Sequence, residues 1–455
     1  MLINKTKRAI QHLERLPALP LRAEQVEFID SPAAFKTQLV ELIRRAKSRI
    51  YITALYWQND EAGQQILDEI YRARQDNPEL EVKIFVDWHR AQRNLLGAEK
   101  TATNADWYCD ARAKYQLPDD PNMFFGVPIN TREVFGVLHI KGFVFDDTVL
   151  YSGASINNVY LAQHEKYRYD RYHKIRNQAL ADTLVGFIKG YLQDPGAVSP
   201  LDVNTRPQTK EIRQNIRLFR KNLASDAQYH LPASVTLHDS LTVCPLFGLG
   251  AGNNILNRTI EALFQLVQDK LVICTPYFNL PRSLRYNIHR LLEKGKRIEI
   301  IVGDKVANDF YIPPDEPFKM AGALPYLYES NLRRFSKKFE RFITQGQLVI
   351  RTWKDGENTY HLKGLWVDDQ AMLLTGNNLN PRAWRLDAEN GLFIHDPQRE
   401  LRAQTEKELD DIRRYTTVLK HYSELEDLDT YPQPVQKLLR KFARLKADKL
   451  VKMIL

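Results

Sequence analysis

Apolar positions along the chain switch between a helical and a strand period, and the same succession occurs twice. A helical stripe at Phe35, Leu39, Leu42, Ile43 and Ala46 leads into RIYITALYW at 49–57, whose β-branched and aromatic content predicts a strand. A second helical pattern over Gly63–Arg74 precedes another strand-like run, EVKIFVDWH at 81–89. After a stretch rich in Pro and Asn come VFGVLHIKGFVFDD, the short TVLYSG and a closing helix over Leu180–Leu192. The order then returns: helix Thr259–Val267, strand KLVICTPYF at 270–278, helix Pro281–Lys294 and strand RIEIIVGD at 297–304. A longer insertion separates these from HLKGLWVDDQAMLLTG. Such self-similarity reads as a duplication. Strand–helix alternation places both copies in the α/β class: two duplicated lobes, each a mostly buried mixed β-sheet flanked by helices. Breakers in DPGAVSPLDVNTRPQ put the junction within 195–235. The expected division is a first lobe over 1–205, a second over 206–430 and a basic amphipathic helix over 431–455.

The two copies coincide on one short motif. His139 and Lys141 stand two residues apart in VLHIKGFVFDD, and His361 and Lys363 repeat the spacing in YHLKGLWVDD. Asp146 and Asp368 follow at matching distances, and Gly/Asn turns come next, GASINN at 153–158 and GNNLN at 376–380. The two histidines lie 222 residues apart, and the flanking strands are offset similarly. In an extended segment residues i and i+2 share a face, so each His–Lys pair points one way while Leu138, Ile140 and Leu362 can turn to a core. Two imidazoles and two ammonium groups around one anionic phosphorus are the equipment for phosphoryl transfer. The lysines offset charge on the equatorial oxygens, one imidazole attacks and the other moves protons. Both pairs are needed, which puts the active site at the lobe interface.

Asp146 and Asp368 are expected to orient the imidazoles or balance the cationic charge, although an Asp-Asp turn alone would also explain them. Ser155, Asn157, Asn378 and Asn380 are candidate donors to the phosphoryl oxygens. No HExxH or group of convergent carboxylates flanks the motifs, so neither a metal nor another cofactor is expected. Asp304, Asp309, Asp315 and Glu316 read as solvated loop acids.

Composition narrows the picture only slightly. With 44% hydrophobic and 27% charged residues, the 455-residue chain is an ordinary folded protein too long for a single core. The formal charge of +9 suits nucleic acid, an anionic membrane or an anionic substrate equally. No apolar run approaches the roughly 18 residues of a membrane span, and the N-terminus lacks the apolar core of a signal peptide. A cytoplasmic protein is therefore expected. Cys109, Cys244 and Cys274 read as core or near-core thiols. Two basic amphipathic stretches could meet a lipid surface. One is 435–455, with Leu438, Leu439, Phe442, Leu445 and Leu450 among basic residues, although docking on the second lobe would show the same stripe. The other is NLRRFSKKFERF at 331–342, expected at the cleft mouth.

The duplicated motif with its trailing turns resembles the phospholipase D superfamily. Longer segments narrow the likeness: ATNADWYCD at 102–110, GVPINTRE at 126–133, KYRYDRYHKIRN at 166–177, VGDKVANDFYIPPDEPFK at 302–319, NTYHLKG at 358–364 and TGNNLNPRAWRLD at 375–387. Over nearly the whole chain it is similar to the phospholipase D-type phosphatidylserine synthases of bacteria. The resemblance implies transfer of the phosphatidyl group of CDP-diacylglycerol to L-serine with release of CMP. It implies a phosphatidyl-histidine on His139, with His361 taking the serine proton. The superfamily's second motif continues here through Asn380, Arg382, Ala383, Asp387 and Glu389, and Glu389 holds the position that supports an imidazole. After the first motif that pattern is replaced by Lys166, Arg168, Asp170 and Arg171. Headgroup or nucleotide contacts are implied for Asp170, Arg171, Tyr172, Asn308, Asp309 and Tyr311. Peripheral, reversible association with an anionic inner membrane is implied as well, and ribosome association and oligomerisation stay open. Taken without the resemblance, the residues leave the acceptor undecided among serine, water and a glycerol-bearing lipid, and leave a nuclease as a rival.

Overall fold

The computed structural model describes residues 2–93, 102–232, 234–236, 239–313 and 315–444. The apolar runs form the centres of two sheets. In the first, Arg49–Ala54, Glu81–Asp87 and Phe124–Val127 run parallel. Gly142–Phe145, Thr148–Ser152, Tyr172–Arg176 and Val26–Ile29 continue it antiparallel on the other side. The second sheet repeats this plan. Lys270–Thr275, Arg297–Gly303 and Leu348–Trp353 are parallel, and Gly364–Val367, Ala371–Thr375, Glu389–His395 and Thr242–Gly248 are antiparallel. Equal strand order in the 8- and 9-stranded sheets confirms the duplicated, mixed α/β architecture.

Side-chain alternation divides each strand between two cores. Ile50, Ile52 and Ala54 face outward with Phe35, Leu39, Ile66 and Ile70 of the helices Pro32–Arg45 and Glu61–Asp76. Ser31 and Asp60 cap those helices by accepting from Ala34 N (3.1 Å) and Gly63 N (2.8 Å). Tyr51 and Phe85, on the opposite face, enter a core that also holds Val272, Cys274, Leu362 and Leu374 of the second lobe. Leu271 and Ile273 face the second lobe's own outer core. The shared core locks the lobes together, because both inner sheet faces lose their apolar surface to one another and to helices Gln178–Phe187 and Arg402–Arg413.

The segment that precedes the first sheet does not lie with it. Helix Leu2–Glu14 packs on Ile255–Leu266, and Leu19–Pro20 adds an edge strand to the second sheet. Ala9, Leu13, Leu16 and Ala18 join the second lobe's core, so residues 2–20 lie with the later half of the sequence. An apolar helix stripe states that a partner exists, not which one. The basic aromatic stretch is likewise no cleft-mouth feature. Phe335, Phe339 and Phe342 are buried with Leu332 and Phe278 in that same core, and Arg334, Lys337, Lys338 and Arg341 face out. Helix Gln433–Arg444 docks through Val435, Leu438 and Leu439 near Tyr326 and Tyr431. The rest of that stretch, 445–455, lies outside the described residues. Cys244 and Cys274 are buried and Cys109 is half-buried, all as free thiols. Among the described residues no helix is long and apolar enough to cross a membrane.

Candidate active site

Both motif segments leave their own lobe before the regular strand begins. His139 N donates to Ala388 O (2.9 Å) and Ala388 N to Val137 O (3.0 Å). His361 N donates to Tyr169 O (2.8 Å) and Thr359 N to Tyr167 O (3.0 Å), where Thr359–Tyr360 and Arg168–Tyr169 form a two-stranded ladder. Each His-x-Lys therefore runs along the segment that follows the other lobe's motif. Gly142 and Gly364, with φ of 127° and 153°, then turn the chain into its own sheet. A Cβ on Gly364 would stand 2.3 Å from Arg171 Nη1.

This exchange delivers a carboxylate to each imidazole from across the interface. Both Glu389 oxygens lie 2.9 Å from His139 Nδ1. Asp170 Oδ2 lies 2.8 Å from His361 Nδ1 and 3.3 Å from Lys363 Nζ. With Nδ1–H donating to the carboxylate, each ring carries its lone pair on Nε2, and that of His361 is shared with the Tyr160 hydroxyl at 3.2 Å. Lys363 Nζ also contacts the His361 ring, 3.0 Å from Nε2, and the Tyr160 hydroxyl lies 3.0 Å from Nδ1. Asn390 grips Lys141 at both backbone groups, accepting from its N and donating to its O at 2.8 Å each. Asp387 accepts from Val137 N (3.0 Å) and from Arg382 Nε (2.9 Å), fixing the approach to His139.

Burial sets the charge states. It pulls His139 well below the ordinary imidazole value, and the charges of Lys141, Lys363 and His361 add to the effect. His361 falls to about 4, through burial and then Lys363, against the pull of Asp170. Both rings are therefore neutral near pH 7 and able to attack or to accept a proton. Lys141 drops to about 7 through burial and the facing Lys363, and Lys363 drops to about 8 through burial, opposed by Asp170. Burial and the nearby Asp387 push Glu389 up. Burial alone would also raise Asp170, but Lys363 and the hydrogen bond from His361 hold it below the usual carboxylate range.

Of the residues expected in the site, His139, Lys141, His361, Lys363 and Glu389 come together. Asp146 and Asp368 do not. Asp146 accepts from the backbone N–H of Lys47, Ser48 and Arg49 (2.8, 2.8 and 3.1 Å). Asp368 does the same for Gln268, Asp269 and Lys270 (2.6, 2.8 and 2.8 Å). Both fasten a hairpin turn to the start of the central strand, each with φ near 50°. The reason is strand length. Five residues at about 3.3 Å each carry the acid roughly 16 Å beyond its lysine.

The Gly/Asn turns do border the site. A Cβ on Gly376 would meet Lys141 Cγ at 3.0 Å, and one on Gly153 would meet Asp170 Oδ2 at 2.7 Å. Asn157 and Asn380 each accept from an N–H three residues on, Tyr160 (3.1 Å) and Ala383 (2.9 Å). Asn157 Nδ2 reaches Tyr56 OH (3.4 Å) and Gln58 Oε1 (3.3 Å). Ser155 is buried, and Asn378 Oδ1 is buried without a partner among the described residues.

The implied headgroup contacts separate. Arg171 turns away to Glu408, with Nε and Nη2 each 2.8 Å from a carboxylate oxygen, and Tyr172 stacks on Phe35 in the outer core. Asn308 caps Phe310 N (2.9 Å), and Tyr311 packs beside Tyr326. Asp309 is no solvated loop acid: it accepts from Tyr277 OH at 2.6 Å and lies 3.6 Å from Arg168. Sequence reasoning missed Asp170 as the partner of His361, and missed Tyr160 and Asn390 entirely. Glu389 follows its histidine by 28 residues and Asp170 follows by 31, so a shifted position and a shorter acid hid the equivalence.

A family model described as "Cardiolipin synthase, PLD-like domain" matches residues 260–413. A Haemophilus influenzae protein named CDP-diacylglycerol–serine O-phosphatidyltransferase is 73% identical over 455 residues, 100% of each chain. An Escherichia coli protein of that name is 54% identical over 445 residues, 98% of each chain. The crystal structure of phosphatidylserine synthase from H. influenzae matches with a TM-score of 0.97 and 72% identity, covering 99% of this chain and 100% of that one. Identity at this level over the full length shows the family: the chain belongs to the CDP-diacylglycerol–serine O-phosphatidyltransferase family of phospholipase D-like proteins.

Proposed function

We propose that the chain transfers the phosphatidyl group of CDP-diacylglycerol to L-serine, giving phosphatidylserine and CMP through a phosphatidyl-histidine. The observation that carries this reading is the pairing of two neutral imidazoles, each backed by a carboxylate from the opposite lobe, with two buried lysines. Two relatives spanning the whole chain bear the corresponding name. His139 Nε2 attacks the phosphorus that bears the diacylglycerol oxygen. The bond from that phosphorus to the CMP oxygen breaks, and CMP leaves with the electron pair as a stable phosphate anion. Serine Oγ then attacks the same phosphorus, the P–N bond breaks and His361 accepts the hydroxyl proton before losing it to solvent. Asp170 holds His361 and compensates the imidazolium that forms. Lys141, Lys363 and the amides of Asn157 and Asn380 offset charge on the equatorial oxygens.

His139 is assigned the attack because Glu389 serves it alone, whereas Asp170 is divided between His361 and Lys363. The test is exchange of labelled CMP into CDP-diacylglycerol without serine. The native protein is expected to exchange, and His139→Ala to lose at least about 1,000-fold of the rate. A native protein that makes phosphatidylserine without any exchange would instead require direct displacement.

The same proposal includes contact with an anionic lipid surface. Residues 435–455 carry seven Lys and Arg against Asp448, a local charge of +6. Removing 445–455 deletes three of those lysines and leaves the docked part of the helix in place. Flotation is expected to show weaker binding of the shortened protein to anionic vesicles, and loss of full-length binding in high salt. Equal binding to neutral and anionic vesicles would refute electrostatic anchoring.

A further inference from the structure

Beside the imidazoles lies one cation and one anion that the phosphoryl chemistry leaves unused. Arg168 stands two residues before Asp170, its guanidinium 4.9 Å from the centre of the Tyr160 ring, whose hydroxyl bonds His361. Asp309 accepts from the Tyr277 hydroxyl at 2.6 Å, and the Tyr277 ring lies 6.2 Å from the His361 imidazole. Each charge is thus one tyrosine away from the same histidine. Arg168 Nη1 and Asp309 Oδ2 are 3.6 Å apart, beyond the 2.7–2.9 Å typical of a charge-assisted hydrogen bond. A structural ion pair in this protein looks different: Arg171, three residues on, and Glu408 make two bonds of 2.8 Å. The Arg168 and Asp309 side chains also keep 15% and 18% exposure, so the pair is not sealed from solvent.

A buried pair this loose recovers little of its desolvation cost. Its signs are the clue. Every phosphorus group that enters the site is anionic, and a carboxylate aimed at it would repel it. Burial alone would raise Asp309, but the Arg168 charge and the Tyr277 hydrogen bond help hold it below the usual carboxylate range. The one cationic group among the substrates of the proposed reaction is the ammonium of the amino acid.

We infer that Arg168 and Asp309 form the acceptor subsite, Arg168 taking the α-carboxylate and Asp309 the α-ammonium of the incoming amino acid. This inference rests on the transfer reaction proposed above. A zwitterion inserted between the two side chains replaces one stretched ion pair with two close ones. Its β-hydroxyl, on the next carbon, is then directed along Tyr160 and Tyr277 towards His361. A glycerol-bearing acceptor has no cation for Asp309 and leaves that carboxylate facing a phosphate, which makes the pair a filter as well as a cradle.

Steady-state kinetics of Asp309→Asn and Arg168→Gln test the assignment. The serine KM is expected to rise roughly 10- to 100-fold in each, and the CDP-diacylglycerol KM to move by less than about 3-fold. A second readout needs only the native protein. Ethanolamine lacks the carboxylate and 3-hydroxypropionate lacks the ammonium, and both are expected to be poorer acceptors than serine by a comparable factor. Asp309→Asn should then lose the preference for serine over 3-hydroxypropionate, and Arg168→Gln the preference over ethanolamine. Native protein that uses all three acceptors equally overturns the subsite. So do variants whose CDP-diacylglycerol KM rises while the serine KM stays put. Native protein that makes no phosphatidylserine at all overturns the transfer reaction itself, a failure visible before any variant is made.

Discussion

Lys141 and Lys363 confront each other inside the site, almost wholly out of solvent. Burial and the facing ammonium lower Lys141 to about 7, so holding both lysines charged here costs stability. The unfolded chain restores Lys141 to an ordinary value of about 10.4. Between these values the unfolded state binds the extra proton, so stability rises with pH across that window. The penalty is fully present below about pH 7 and is relieved as pH climbs through the folded value. Lys141→Met should accordingly melt above the native protein near pH 6, with an advantage that shrinks above about pH 7 and is lost only as pH passes about 10. Parallel thermal denaturation checks this, and a pH-independent gap would show that packing rather than charge separates the two. Burial disfavours the charged form of His139 and Glu389 too, but with opposite signs: lowering His139 makes stability rise with pH, and raising Glu389 makes it fall.

At the level of elements, the segment 168–171 connects three neighbours. Its backbone pairs with Thr359–Tyr360, Asp170 holds His361, and Arg171 crosses the ring of Trp366 at 4.0 Å to reach Glu408 on helix Arg402–Arg413. Burial would raise Glu408, but Arg171 and His173 hold it at about 2. A carboxylate depressed in this way stabilises the fold above its unfolded value of about 4.3, and the contribution fades as pH falls towards 2. Glu408→Gln strands the Arg171 charge and is expected to cost about 3–5 kcal/mol near neutral pH. Melting curves should show the difference narrowing between pH 5 and 3, and a variant as stable as the native protein at pH 7 would mean the clamp is dispensable. This cluster was hidden in the sequence, where KYRYDRYHKIRN lies more than two hundred residues before Glu408. The motif strands themselves were legible, because Leu138, Ile140 and Leu362 alternate with the polar pair.

For the molecule as a whole, the two lobes complete one another within a single chain. His139 takes its carboxylate from the second lobe and His361 takes its own from the first. Mixing His139→Ala with His361→Ala protein should therefore restore no activity, whatever the assembly state, because neither chain contains both imidazoles. Activity recovered on mixing would place the reacting pair across two chains. The shared core that holds Tyr51 and Phe85 against Val272 and Leu374 keeps the interface closed. The N-terminal helix reinforces it by bringing residues 2–20 back onto the second lobe.

What the sequence determined by itself was local or repeated: the duplication, the strand and helix order, and the His-x-Lys pairs whose spacing of two fixes a common face. Glu389 was reachable through resemblance. The tertiary structure alone decided that Asp146 and Asp368 are turn fasteners, that Asp170 is the second imidazole's partner, and that Arg168 meets Asp309. Those pairings join residues about 100 to 250 positions apart, or separate residues only five apart. Periodicity fixes the direction in which a side chain leaves its own strand. Which distant group it meets depends on how two whole lobes pack, and no local pattern carries that information.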